Sequence, residues 1–476
     1  MKRTHKAALL GMAAAMCLLC GCSKDMTGMP YSEIQAYMAE HPNGKVKYTV
    51  TIDDTLVLTE SSTTAHITST SQLSPLLDYA EYLQQLQTIE LSELTVDAGT
   101  MSALLTAFPD AHIRCKAISL LGKEYSSDTQ TVDLSDLTDE DVAEVALGLS
   151  AFKQLKTVDL CKGDALSTVS LDTAAALQAL CPHLTYHYRI ELFGQVLSTD
   201  MEEVKYFRAD IGDEGLVQFR KLLPMMHKLT YFCLDWCGTT DEAMAQLRDE
   251  YADRFKVVWR VWLSYYNFLT DTMKVWANYK VTDANSHVLN YCTELRYLDL
   301  GHNEFTHCEF VRYMPHLDVL ILGDTNVSSL EPLRDCKELT FLEIFTTNVT
   351  DLSPLEDLKE LEYLNISNLK IDDISPIYHL DNMIKVNSTM NHIPDEQVEQ
   401  YKLLQPQCYA TFLPYGDPTE FEWRKLYNGQ LAPRYALLRW QIGYNRGDVS
   451  GYPYGHTTEE ITYESTGITP PEVKSR

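Results

Sequence analysis

Basic side chains are scarce in this sequence. Lys and Arg number 39 against 67 Asp and Glu, a formal charge of −28 over 476 residues. Such a chain repels phosphate backbones and anionic lipid, so nucleic acid is not an expected partner. Long apolar runs are missing as well. Beyond the first twenty residues nothing reaches the roughly 18 apolar residues that a spanning helix needs. There is no Gly-rich phosphate loop, no G-x-S-x-G elbow and no H-E-x-x-H, so the common signatures of nucleotide, hydrolase and zinc-protease chemistry are absent. The acidic run Asp133–Glu144 is not a calcium loop, because Leu137 and Thr138 stand where such a loop needs an oxygen ligand and a glycine. His183-x-x-x-His187 has a helical ligand spacing, but Pro182 and the β-rich Thr185–Ile190 put it on a strand. No metal, no cofactor and no catalytic residue is expected.

Hydrophobic residues at 45% and aromatics at 10% supply an ample core and rule out a largely disordered chain. The first residues read as an address. Lys2, Arg3 and Lys6 precede the uncharged stretch Ala7–Leu19, the length of a signal-peptide apolar region. The stretch ends Leu19-Cys20-Gly21-Cys22, which resembles a bacterial lipobox, with Cys20 a less usual choice two positions before the conserved thiol. The resemblance implies cleavage before Cys22 and diacylation of its thiol, and two acyl chains anchor a protein stably. It also implies the extracytoplasmic face of a bacterial cell membrane. Removing residues 1–21 leaves 36 basic and 67 acidic side chains, a mature charge of −31. Nine thiols then remain beside Cys22, an odd number that cannot pair fully within one chain. Cys233-x-x-x-Cys237 is the closest pair, and plain buried thiols are the expectation.

Self-similarity dominates residues 295–393, which repeat every 22 residues without a gap. The first copy reads Leu295-x-x-Leu298-x-Leu300-x-x-Asn303-x-Phe305. The next three align Leu317, Leu320, Leu322, Thr325, Val327; Leu339, Leu342, Ile344, Thr347, Val349; and Leu361, Leu364, Ile366, Leu369, Ile371. A degenerate fifth has Met383, Val386, Ser388, Asn391 and Ile393. The second half of each copy is apolar every third residue, as in Val327, Leu330, Leu333 and Cys336, which suits a 3₁₀ turn. Pro332, Pro354 and Pro376 fix φ where that turn opens. The x-L-x-L part predicts a short strand with alternate residues inward, and stacked coils bury together leucines that one coil cannot.

This pattern resembles the leucine-rich repeat family, in its 22-residue, internalin-like bacterial class, over about a hundred residues. The resemblance implies an α/β solenoid: a curved parallel sheet with helices and 3₁₀ turns on its convex side. It also implies partner binding on the concave, strand face. Leu369 departs from the family's Asn, so the backbone hydrogen bond of that copy is expected to be missing.

A longer period runs upstream. Leu86–Leu91, Leu155–Leu160 and Leu229–Leu234 share the strand pattern of Leu295–Leu300. Between them recur blocks read as a strand, a turn and a returning strand, around Gly122, Gly194 and Tyr265-Tyr266, with a weaker copy at Thr55–Glu60. Thr138-Asp-Glu-Asp141 and Thr240-Asp-Glu-Ala243 open helices, and Asp172–Leu180 is a third. Residues 44–294 are thus read as irregular, long leucine-rich-type repeats, with a separate adjoining α+β domain as the alternative. The division expected is 1–21 signal peptide, 22–43 tether or N-terminal cap, 44–294 long repeats, 295–408 regular repeats, 409–446 aromatic-rich C-terminal cap, and 447–476 disordered tail.

The outward strand positions form columns. Tyr297, Val319, Phe341, Tyr363 and Lys385 make the first; Asp299, Ile321, Glu343, Asn365 and Asn387 the second; Gly301, Gly323, Phe345, Ser367 and Thr389 the third. Neighbours in a column lie about 4.8 Å apart. Tyr297, Val319, Ile321, Phe341, Glu343, Phe345, Tyr363 and Asn365 are therefore the candidate ligand-binding patch, an aromatic centre with a polar rim. Three readings stay open: a partner site, cover by the aromatic C-terminal segment, or ordinary strand surface. The function expected is a non-enzymatic, lipid-anchored surface protein that binds a protein partner on its concave face. The alternative is a lipoprotein that captures a glycan or solute.

Overall fold

The structure, a computed structural model, describes residues 23–420, 422–444 and 457–470. The signal peptide 1–21, Cys22 and Phe421 lie outside the described residues. The chain divides into two compact units: the part up to Glu202 with Gly215–Leu229, and Glu203–Glu214 with Thr230 onward.

The second unit contains the regular repeats. Seven parallel strands, Lys274–Trp276, Tyr297–Asp299, Val319–Ile321, Phe341–Glu343, Tyr363–Asn365, Lys385–Asn387 and Tyr409–Thr411, follow one another in sheet order. Their register is the sequence period: Tyr297 pairs with Val319, Val319 with Phe341, and Phe341 with Tyr363. The inward column Leu298, Leu320, Leu342, Leu364 and Val386 is wholly buried. The chain returns through 3₁₀ turns at Glu309–Tyr313, Glu331–Asp335, Ser353–Leu355 and Ser375–Ile377, and Pro332, Pro354 and Pro376 open the last three. Cys308 and Cys336 sit buried in this core, and burial pushes their thiols up to about 12 and about 11. The fold is an α/β leucine-rich repeat solenoid, regular in this stretch.

Each regular coil turns after its strand through a non-glycine residue in the left-handed region, His302, Asp324, Thr346, Asn368 and Met390, with φ between 53° and 63°, and Lys370 follows Asn368 at 60°. The amide of each donates to the next coil, as Asp324 does to the Phe345 carbonyl at 2.8 Å. Inter-coil hydrogen bonds thus hold a conformation that costs an L-residue on its own. The Asn ladder is subtler than the motif implies. Asn303 accepts from the Val281 amide and donates to the Ala277 and Leu300 carbonyls. Thr325 and Thr347 each donate once, to Leu322 and Ile344. Leu369 has no group with which to make these bonds, and the ladder resumes in the following coil, where Asn391 accepts from the Leu369 and Lys370 amides.

The same unit also carries the strands Glu203–Phe207, Tyr231–Asp235 and Lys256–Leu263 in parallel, with Tyr266–Leu269 returning as a hairpin. The helix Asp241–Glu250 starts where the sequence predicts it, with the Thr240 hydroxyl accepting from the Ala243 amide.

In the first unit, parallel strands Thr131–Asp133, Thr157–Asp159 and Thr185–His187 form one sheet. Strands Thr64–His66, Thr88–Asp97 and His112–Leu120 form another, which Lys123–Tyr125 extends antiparallel. Hairpins turn at Leu121-Gly122 and Phe193-Gly194, with all four residues at positive φ. That is the type I′ turn whose twist matches the strands, and glycine at its second position relieves the strain. One expected helix start is wrong. The helix is Val142–Leu149, because the Thr138 hydroxyl donates to Asp141 at 2.6 Å and closes a separate turn ahead of it. His187 does lie on a strand, with Nδ1 2.7 Å from Asp159.

Candidate functional site

The eight residues expected to form a ligand patch are indeed brought together on the outward face of the seven-stranded sheet, but they are not open. Tyr297, Val319 and Asn365 are 0% exposed, and the rest of the eight are at 7% or less. Of the three readings left open by the sequence, the structure shows the second: the chain's own C-terminal segment covers the patch.

The cover is built from specific pairings. Trp423 packs on Phe341 and Tyr363, with ring centroids 5.6 and 6.3 Å apart. The helix Pro433–Ile442 sets Leu438 and Ile442 into the same cluster, which includes Tyr297, Val319 and Ile321. Arg434, on that helix, is 4% exposed. It donates to Gln441 at 2.6 Å and to the Thr340 hydroxyl at 3.2 Å, and its guanidinium lies over the Phe341 ring. The outward polar groups serve the same contact. Trp423 Nε1 donates to Glu343, and the Tyr444 hydroxyl donates to Asp299. Asn365 donates to the Pro418 carbonyl at 2.9 Å. The expected tail is partly ordered against this face too: the Ile461 amide donates to the Tyr297 hydroxyl at 3.1 Å and its carbonyl accepts from Gln441. Large apolar area drives this burial, and Glu343, Asp299 and Asn365 each find a hydrogen-bond partner on the segment.

The cover leaves a gap. A cavity of about 430 Å³ lies between the sheet and the C-terminal segment, a size suited to a small ligand. Of the eight sequence-predicted residues, Ile321, Glu343 and Phe345 line it, while Tyr297, Val319, Phe341, Tyr363 and Asn365 are taken up by the cover. Gly323 makes room at the rim: a β-carbon there would fall 2.3 Å from the Phe345 ring. The sheet contributes Trp276, Asp299 and His302, and the segment contributes Arg424, Lys425, Tyr435, Arg439 and Tyr444. None of these was among the eight, although Asp299 was read as an outward strand position and Tyr435 and Tyr444 fall in the aromatic-rich segment. The available signal was local: residues 421–444 hold four basic side chains and one acidic in an otherwise acidic chain.

Electrostatics in the cavity are divided. Burial pushes the Asp299 and Glu343 carboxyls above the usual carboxylate range, against the pull of the Tyr444 and Trp423 hydrogen bonds and the nearby Arg424. Beside the cavity, burial lowers the Lys385 ammonium to about 8, under Tyr409 and Trp423. His302 pairs with Asp324 at 2.9 Å. Arg424 Nε is buried with no hydrogen-bond partner among the described residues.

A second aromatic feature is open. Phe207, Trp236 and Trp262 are 61%, 41% and 49% exposed. Trp236 and Trp262 meet edge-on at 5.2 Å, and the Arg208 and Arg260 guanidinium groups lie near the Trp236 ring. Among the described residues no group of three or more His, Cys, Asp or Glu side chains is placed to hold a metal. The Cys233 thiol is buried and free, pushed up to about 12 by that burial. No helix among the described residues is long and apolar enough to cross a membrane.

No family model matches the chain, and no curated protein matches it. Among solved structures, it is similar to an internalin (inlF) of Listeria monocytogenes at 16% identity, covering 80% of this chain and 90% of that one, with a TM-score of 0.25. It is similar to internalin C2 of the same organism at 16% identity, covering 66% and 91%, with a TM-score of 0.26. A leucine-rich repeat protein of Leptospira interrogans matches at 14% identity, covering 82% and 100%, with a TM-score of 0.30. At these scores the neighbours carry no argument about what this chain binds.

Proposed function

We propose that this chain is a lipid-anchored, extracytoplasmic bacterial protein that binds rather than transforms its ligand. The ligand is a small solute or the end of a glycan, held between the repeat sheet and the C-terminal segment. The observation that carries this reading is the cavity left under the cover, lined by aromatic rings and charged groups. A protein partner pressed flat on the strand face would need the whole Trp423–Ile442 cover to leave. Binding is favoured over turnover because both carboxyls of the cavity are already engaged by the chain's own donors, Asp299 by Tyr444 and Glu343 by Trp423. The anchor rests on Cys22 and its lipobox-like setting.

Thermal-shift measurement against pools of neutral sugars, acidic sugars and amino acids tests the ligand class. At least one pool should raise the midpoint of the full chain, and Tyr435→Ala should abolish that rise. Absence of any shift would overturn the reading. For the anchor, Cys22→Ser should move the protein from the membrane fraction to the soluble one, and continued retention would refute lipidation. The second reading, a protein partner, is favoured by the exposed Phe207, Trp236 and Trp262 rather than by the covered face. Trp236→Ala with Trp262→Ala would abolish protein capture in that case.

A further inference from the structure

We propose that the cavity between the sheet and the C-terminal segment recognises a carboxylate-bearing sugar. This deepens the reading of the protein as a small-ligand binder and rests on it.

Three cations face the cavity, Arg424, Lys425 and Arg439. None has an ion-pair partner among the described residues. Arg424 adds a more specific sign: its Nε is buried and makes no hydrogen bond among the described residues. A buried donor left without an acceptor is costly, so a ligand oxygen that accepts from it gains binding. The guanidinium lies over the Tyr435 ring at 5.6 Å, and its planar fork matches the geometry of a carboxylate.

The remaining walls define the rest of the ligand. Trp276 and Tyr444 meet at 5.0 Å, tilted at 76°, and with Tyr435 give flat apolar faces against which a sugar ring stacks. Asp299 and Glu343 supply acceptors for ring hydroxyls. They are poor counter-charges for an ammonium, because each already accepts from an aromatic donor of the cover and lies buried in low dielectric. That disfavours an amino acid. The polar character of the walls disfavours a fatty acid, and the stacking faces would be idle for inorganic phosphate.

Isothermal titration of the full chain with glucuronate, galacturonate, N-acetylneuraminate, glucose and inorganic phosphate tests this. At least one acidic sugar should bind tenfold or more tighter than glucose and than phosphate. Arg424→Gln and Arg439→Gln should each weaken that binding tenfold or more, while the thermal midpoint of the unliganded protein stays within a few degrees. Equal binding of glucose, phosphate binding as tight as the sugar, or variants that bind unchanged would each overturn the assignment. If no acidic sugar binds while a neutral sugar or amino acid does so in a Tyr435-dependent way, this inference fails and the small-ligand reading stands. If nothing binds, both fail.

Discussion

The two faces of the same seven strands behave differently. On the inward face, Leu298, Leu320, Leu342, Leu364 and Val386 repeat one chemistry and are buried by the neighbouring coils, 22 residues away. On the outward face, Tyr297, Val319, Phe341, Tyr363 and Lys385 vary in chemistry and are buried by a segment far along the chain. The burial is equal, but its sources are not. A periodic column is satisfied by its own repeat, whereas a column of mixed aromatic, carboxylate and amide groups needs a partner shaped for it. Here Trp423, Arg434 and Tyr444 provide that shape.

The largest effect should come from breaking the inward face. Leu342→Ala removes a side chain that has coils on both sides and cannot be replaced by solvent. It should cost about 3–4 kcal/mol in denaturant unfolding. A loss under about 1 kcal/mol would mean that the stacked core is not closely packed. Breaking the outward face should cost less. Trp423→Ala should lower stability by about 2–3 kcal/mol, since water can reach the vacated site. It should also speed proteolysis within residues 412–444, and an unchanged cleavage rate would contradict the cover.

The smallest effect sharpens the comparison through charge. The buried Glu343 carboxyl has a folded pKa above its ordinary 4.5. The fold therefore favours its protonated form. That contribution is fully present below the unfolded value and is lost as pH rises through the folded one. Glu343→Gln keeps an acceptor for Trp423 without the charge. It should gain about 1 kcal/mol over the parent at neutral pH and lose this advantage in acid. Parallel stability curves for the two proteins from acid to neutral pH would show that the carboxyl is not strained by burial.

Much of the fold was legible. The 22-residue register, the 3₁₀ turns with their prolines and the hairpin turns at Gly122 and Gly194 follow from local residue chemistry. Leu369 interrupts the side-chain ladder as its chemistry predicts, and Asn391 of the next coil resumes it by accepting from the Leu369 and Lys370 amides. The helix expected to be capped by Thr138 instead begins at Val142 behind Asp141, after the turn closed by the Thr138 bond to Asp141. Of the candidate patch, only Ile321, Glu343 and Phe345 reach the cavity. The groups that complete it, Arg424, Tyr435, Arg439 and Tyr444, lie 80 or more residues beyond Glu343 or more in sequence and carry no period.

By itself the sequence determined which residues face the core, because a strand and a turn of fixed length make inside and outside a matter of spacing. It also set the acidity of the chain and the cysteine at position 22. Only the tertiary structure decided that the outward aromatic face is covered rather than open, and where a cavity survives. That outcome depends on whether a remote segment's apolar area and hydrogen-bond donors match a surface, and no local pattern encodes such a match.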